Sequence, residues 1–249
     1  MKIIDAYCGV GPWATRDRLL PYRAEEMLEL LDHFGIEQAL VYPNTGARWG
    51  QPPAVNDFVL DAARVSARFI PAFALAPNAH EGYPAADDYL AAMRAAGARA
   101  AWLFVQGLVA GLWRWHVGEL LDMLVEHNIP LFLLTEQCPP DALDMLLHDA
   151  PELKVVLCGV GYMGDSWLYP LLQRHPGLHV CLGHFYVPPG DPERFVRRFG
   201  ASRLIFGSGL PHFSPGGLIG HIMYADIPDE DKQTILAGNM QSLLAEVEL

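Results

Sequence analysis

A chain of 249 residues with 51% hydrophobic content can bury one large core, and a single α/β barrel of roughly 250 residues is a standard solution at that size. The 17 Lys and Arg against 29 Asp and Glu leave a net charge of −12, which repels phosphate backbones and anionic lipid surfaces and excludes nucleic acid and membrane as expected partners. Cys8, Cys138, Cys158 and Cys181 are too few and too scattered for a disulfide framework. With no signal-peptide pattern and no charge-free run of about 18 residues, the protein is expected to be soluble and cytoplasmic, its cysteines reduced.

Taken in chain order, the strand candidates are KIIDAY, EQALVY, RFIPAFA, RAAWLFV, PLFLLT, LKVVLC, LHVCLG and RLIFG. Between them run stretches with apolar residues at helical spacing, such as Val117, Leu120, Leu121 and Leu124, or Leu236, Met240, Leu243 and Val247. Continuous apolar strands alternating with one-sided helices imply a parallel sheet buried on both faces, and this many repeats allow closure into a single (β/α)8 barrel spanning residues 1–249. An open doubly wound sheet is the alternative, but its glycine-rich first turn leads directly into a helix. Here the first turn runs through Pro12, Trp13 and Arg16 to about Pro21, which favours the barrel.

Chemistry in a barrel sits at the carboxyl ends of the strands. The stretches IIDA, RFIPAFALAP, NIPLFLL, PELKVVLCGVG, RLIFGSGLP and TILAGNMQSLL, in this order and spacing, resemble the amidohydrolase-related family of metal-dependent hydrolases and decarboxylases. That resemblance implies an amidohydrolase-like TIM barrel and, in the usual members, a zinc-like ion. Its ligands would be a His-x-His pair after the first strand, single histidines after the fifth and sixth, and an aspartate after the eighth. This chain carries Tyr7 and Gly9, Leu134, Gly159 and Gly209 at those places, so no ligand carries over. A catalytic zinc needs about three N, O or S donors. No metal and no other cofactor is expected, and three vacated glycine positions beside Leu134 predict a roomier, less polar pocket. Side-chain alternation predicts that Cys8 and Cys158 face the helices.

Metal-free candidates remain. Glu136, His184 and His212 are the candidate catalytic residues, a carboxylate and two imidazoles suited to general acid-base work, each with a plainer reading as a loop acid or a hydrogen-bonded loop histidine. Candidate substrate-binding residues are Tyr7, Trp13, Asn44, Trp49, His80, Gln106 and Tyr162. Tyr7 either orients a substrate carbonyl or fills space, and Asp5, deeper on the same strand, reads as structural. The tetrapeptide CGVG at 8–11 and again at 158–161 suits turns better than an anion cradle. Trp113 and Trp115 fit either an aromatic pocket or an oligomer contact, and the segment Pro211 to His221 reads as a cover over the last strand or an ordered surface loop. Three functions follow: a metal-independent hydrolase or lyase for a small, apolar or aromatic molecule, a catalytically inactive binding barrel, or a hydrolase with a metal relocated to His80, His184 and His212. The expected partner is a small-molecule ligand or substrate, with homo-oligomerisation left open.

Overall fold

The computed structural model describes residues 1–13, 23–45, 53–78, 82–105, 111–162, 164–184 and 190–249. Eight parallel strands follow one another around a sheet in sequence order: β1 (Ile4–Val10), β2 (Gln38–Pro43), β3 (Phe69–Leu75), β4 (Ala100–Leu103), β5 (Leu131–Leu134), β6 (Val155–Cys158), β7 (Leu178–Leu182) and β8 (Leu204–Phe206). The helices are α1 (Ala24–Phe34), α2 (Asp57–Val65), α3 (Ala86–Ala96), α4 (Arg114–Glu126), α5 (Pro140–Asp149), α6 (Asp165–Arg174), α7 (Asp191–Phe199), α8 (Gly216–Met223), α9 (Asp229–Gln233) and α10 (Asn239–Ala245). The result is a (β/α)8 TIM barrel, as the strand and helix periodicities predict. Backbone hydrogen bonds beyond β8 bring the ends together, Gly9 N to Leu210 O at 2.7 Å and Gly209 N to Tyr7 O at 2.8 Å.

Strand alternation sorts the side chains into two cores. Val41, Phe73, Leu103, Leu133, Leu157, Val180 and Leu182 point outward and pack with Met27, Leu31, Val59, Met93, Leu121 and Leu146 from the helices. Inward-facing Leu40, Tyr42, Ala72, Ala74, Ala100, Trp102, Phe132, Val156 and Ile205 fill the barrel. The alanines matter because they leave room for large rings on neighbouring strands. Trp102 is fully buried on the axis and contacts Tyr42, Phe104 and Phe132 at centroid distances of 4.7, 5.5 and 5.2 Å. Residues Val117, Leu120, Leu121 and Leu124 of α4 are buried as their spacing predicts. A π turn, Thr234–Gly238, joins α9 to α10, and Ala237, Met240, Leu243 and Leu244 pack against the inner core.

Strand β1 carries a one-residue irregularity. Asp5 pairs with Ala39 but Cys8 with Val41, so three residues of β1 advance against two of β2. The slip lets both Ala6 and Tyr7 meet the inner core while Cys8 joins the outer one, and Asp5 stabilises it. Fully buried, Asp5 accepts hydrogen bonds from Tyr7 N at 3.0 Å and Ser208 N at 2.8 Å on Oδ1, and from Ser208 Oγ on Oδ2. Ser208 Oγ in turn accepts from Leu210 N at 2.9 Å. Burial raises the Asp5 carboxyl to about 6, against the opposing pull of those donors. The structural reading of Asp5 fits this network. Asp5→Ala strands two buried N–H donors and a hydroxyl, which predicts a loss of about 2–5 kcal/mol in denaturant unfolding, with Asp5→Asn losing less because one amide oxygen can still accept.

Near the amino end of β7, His179 is pushed down to about 4, first by burial and then by the Arg203 guanidinium. Its Nδ1–H donates to Gly177 O at 3.2 Å. A histidine with a folded-state pKa below its unfolded value of about 6.5 contributes no penalty above pH 6.5 and a growing one as pH falls toward 4, because only the unfolded chain takes up the proton. Asp5 works in the opposite sense over the same window, since its raised carboxyl takes up a proton on folding. His179→Gln should therefore resist acid better than the parent between pH 6.5 and 4 and match it in slope above pH 7, as read from melting temperature against pH.

Candidate active site

The mouth is built over an aromatic floor. Tyr7, brought inward by the β1 irregularity, stacks on Tyr42 at 5.3 Å with ring planes 13° apart and on Trp102 at 5.7 Å. The Tyr7 and Tyr42 hydroxyls are hydrogen-bonded to each other, and Tyr42 is buried. Burial, followed by the nearby Cys158, Cys181 and Glu136, keeps the Tyr7 phenol protonated far above the ordinary range, and burial does the same to Tyr42. Tyr7 is therefore a neutral hydroxyl at every working pH. Trp102 and Phe132 belong to this floor but escape sequence reading, since in the runs RAAWLFV and PLFLLT an inward ring looks like any other buried apolar residue.

Around Tyr7 stand the remaining candidates. Glu136 is exposed in the turn after β5, and its charge reaches Tyr7. His184, exposed after β7, stacks on Phe213 at 4.5 Å and 11°. His212, half-buried after β8, lies against Trp13 at 4.4 Å. The structure thus brings His184, Phe213, Gly209 and Tyr7 into one line of contacts, with Glu136 in electrostatic range and the Trp13 and His212 pair beside it. Phe213 is the member that sequence reasoning missed. Tyr162 is 67% exposed on the rim beyond β6. Trp49, His80 and Gln106 lie outside the described residues, so the relocated set of His80, His184 and His212 does too. The segment Pro211 to His221 is a turn followed by most of α8 and so is largely helical.

Two expectations need correction. Cys158 faces the barrel interior with Val156, and its thiol is hydrogen-bonded to Cys181 across from it. The inward alternation of β6 ends at Cys158, because Gly159 leaves the strand at φ 75°, a left-handed conformation that favours glycine. The glycine positions expected to be vacated are also not uniformly empty. A Cβ on Gly9 would overlap Asn44 Oδ1 outright and meet its Cγ at 2.8 Å. At Gly209, φ 76°, a Cβ would meet Phe213 Cδ2 at 2.8 Å and Tyr7 Cε1 at 3.4 Å. Of these three glycines, Gly159 is the one beside which no atom of the described residues is found within 4 Å. Asn44 is fully buried, with Nδ2 donating to Gly11 O at 2.9 Å, so its side chain serves the wall of the mouth.

A catalytic ion does not fit what these residues offer. One phenol, one leucine and three glycines supply at most a single oxygen donor where about three donors are needed. Among the described residues, no three His, Cys, Asp or Glu side chains gather closely enough to hold a metal. No helix among them is long and apolar enough to cross a membrane.

Comparison with known proteins agrees with the geometry of the fold. The barrel superposes on an uncharacterized TIM-barrel protein from Bordetella bronchiseptica with a TM-score of 0.77 at 19% identity, covering 99% of both chains. It also matches a 2,6-dihydroxybenzoate decarboxylase from Rhizobium (TM-score 0.70, 14% identity, 98% of both chains). A probable 2-pyrone-4,6-dicarboxylic acid hydrolase from Acinetobacter baumannii follows (TM-score 0.71, 16% identity, 98% of this chain and 100% of that one). At these identities the likeness speaks for the fold alone. No curated protein matches the sequence significantly. The amidohydrolase family model matches residues 20–244, nearly the whole barrel, and the chain therefore belongs to the amidohydrolase family.

Proposed function

We propose that this barrel is a metal-independent hydrolase or lyase acting on a small planar or apolar molecule. The observation that carries the reading is Tyr7, a neutral hydroxyl presented on stacked rings with the Glu136 carboxylate within electrostatic reach. The space beside Gly159 and Leu134 is where a ligand would lie, since the Gly9 and Gly209 sides are filled. Tyr42 is buried and donates its hydroxyl hydrogen bond to Tyr7, which leaves the Tyr7 O–H to turn toward a substrate carbonyl. Glu136 would take the proton from an attacking water or from the substrate carbon, and His184 or His212 would return one to the leaving group. Substrates named for the structural neighbours, dihydroxybenzoate and a pyrone dicarboxylic acid, are planar rings, and an aromatic floor suits such a shape.

A second reading, a binding barrel without turnover, is favoured by the packing of Asn44 and Phe213 into two of the lost ligand positions, which a chain free of catalytic demands would tolerate. Purified protein assayed on esters, lactones, amides and ring carboxylic acids separates the two. The enzyme reading expects turnover of at least one compound that survives chelator treatment and metal analysis below a tenth of an equivalent. Glu136→Gln should then lower kcat/KM by roughly 10²–10⁴-fold and Tyr7→Phe by roughly 10²-fold. Turnover abolished by chelation would point to the relocated metal, and no turnover across the panel would leave the binding barrel.

A further inference from the structure

The mouth positions that hold the ion in metal-dependent relatives have been lost in two physically different ways. On β5 and β6 the donors are simply missing. Leu134 is an aliphatic side chain, and among the described residues no atom lies within 4 Å of where a Cβ on Gly159 would stand. On β1 and after β8 the space itself is occupied by residues from elsewhere in the chain.

At Gly9 the occupant is Asn44, held through its Nδ2 while the Oδ1 that faces Gly9 is buried without a hydrogen-bond partner among the described residues. Its amide donates to Gly11 O at 2.9 Å, and the adjoining Thr45 Oγ1 donates to Pro12 O at 2.7 Å, so the end of β2 is tied to the loop after β1. Asn44 is fully buried, and Gly9 is itself fixed by strand pairing with Tyr42 and by its hydrogen bond to Leu210 O. Neither side can retreat without breaking a bond. At Gly209 the occupant is Phe213, whose ring is stacked on His184 and whose N–H donates to Gly209 O at 3.3 Å. The Tyr7 ring closes the other side of Gly209.

We infer that Asn44 and Phe213 are replacement side chains that fill the first-strand and eighth-strand ligand positions, so that restoring the five donors alone does not restore an ion site. This deepens the metal-independent reading proposed above. It makes metal independence a property of packing, where the loss of donors alone would be reversible by substitution. Each pair behaves as a size exchange, glycine on the strand against a larger side chain beside it, and such contacting pairs are the ones whose substitutions are not additive.

The test uses zinc as the probe and melting temperature as a readout independent of any activity. A variant carrying Tyr7→His, Gly9→His, Leu134→His, Gly159→His and Gly209→Asp is compared with the same variant plus Asn44→Ala and Phe213→Ala. After dialysis against zinc and then buffer, the first should retain less than about a tenth of an equivalent, and the second close to one. Should either multiple variant fail to fold, the cycle of Gly9→Ala, Asn44→Ala and the double variant decides alone. Gly9→Ala should lower the melting temperature by roughly 5 °C, and adding Asn44→Ala should recover at least half of that drop. One equivalent of zinc in the five-site variant overturns the inference, as does a Gly9→Ala protein that melts with the parent, or a double variant whose loss is the sum of the singles. Chelator-sensitive turnover of the parent protein would instead sink the functional reading and leave this cycle standing.

Discussion

The barrel mouth depends on the Asp5 carboxylate. By accepting from Tyr7 N, Ser208 N and Ser208 Oγ it joins the first strand to the turn beyond the last, and it does so at the point where β1 slips register against β2. Without that slip a strict period of two would place Tyr7 among the helices, because Ala6 faces the inner core. A buried carboxylate is an expensive way to hold a strand, and burial raises the group toward neutrality. Its three donors offset the expense and fix a side chain that the mouth needs.

Everything above Asp5 is ring on ring. Alanines at 72, 74 and 100 leave the axis open, Trp102 takes it, and Tyr42 and Tyr7 stack upward from there. Such a floor is rigid and nearly charge-free, which limits what chemistry it supports. A neutral phenol can donate a hydrogen bond but cannot carry a negative charge at ordinary pH, so any base must come from the turns around it. Glu136, His184 and His212 are among the described titratable groups placed there, and all three sit on connections between strands and helices, where function concentrates in this architecture.

The strands and helices were readable from the sequence because both cores are sorted by simple alternation, and the runs PLFLLT and LHVCLG can satisfy their apolar side chains only on a sheet buried on two sides. Family membership was readable from the order of six short stretches. Two features were not. Cys158 follows Val156 inward by alternation, and reading it outward came from placing Gly159 on the same strand, whereas the positive φ that takes Gly159 off β6 is a backbone property with no sequence period. The filling of the glycine positions depends on Asn44, 35 positions from Gly9, and on Phe213, which reaches Gly209 through a turn. A glycine reports the volume that it gives up itself and says nothing about who takes it.

That distinction bears on how the mouth of this barrel is to be understood. Deleting donors leaves polar walls, water and an opening through which a lost site could be regained by a few substitutions. Filling the space with an amide tied to Gly11 and a ring stacked on His184 does more, because each occupant is held by its own contacts and resists displacement. The filling is also one-sided among the described residues, on β1 and after β8, with none of their atoms packed beside Gly159. The asymmetry, more than the residue types at the five positions, sets the shape of this mouth.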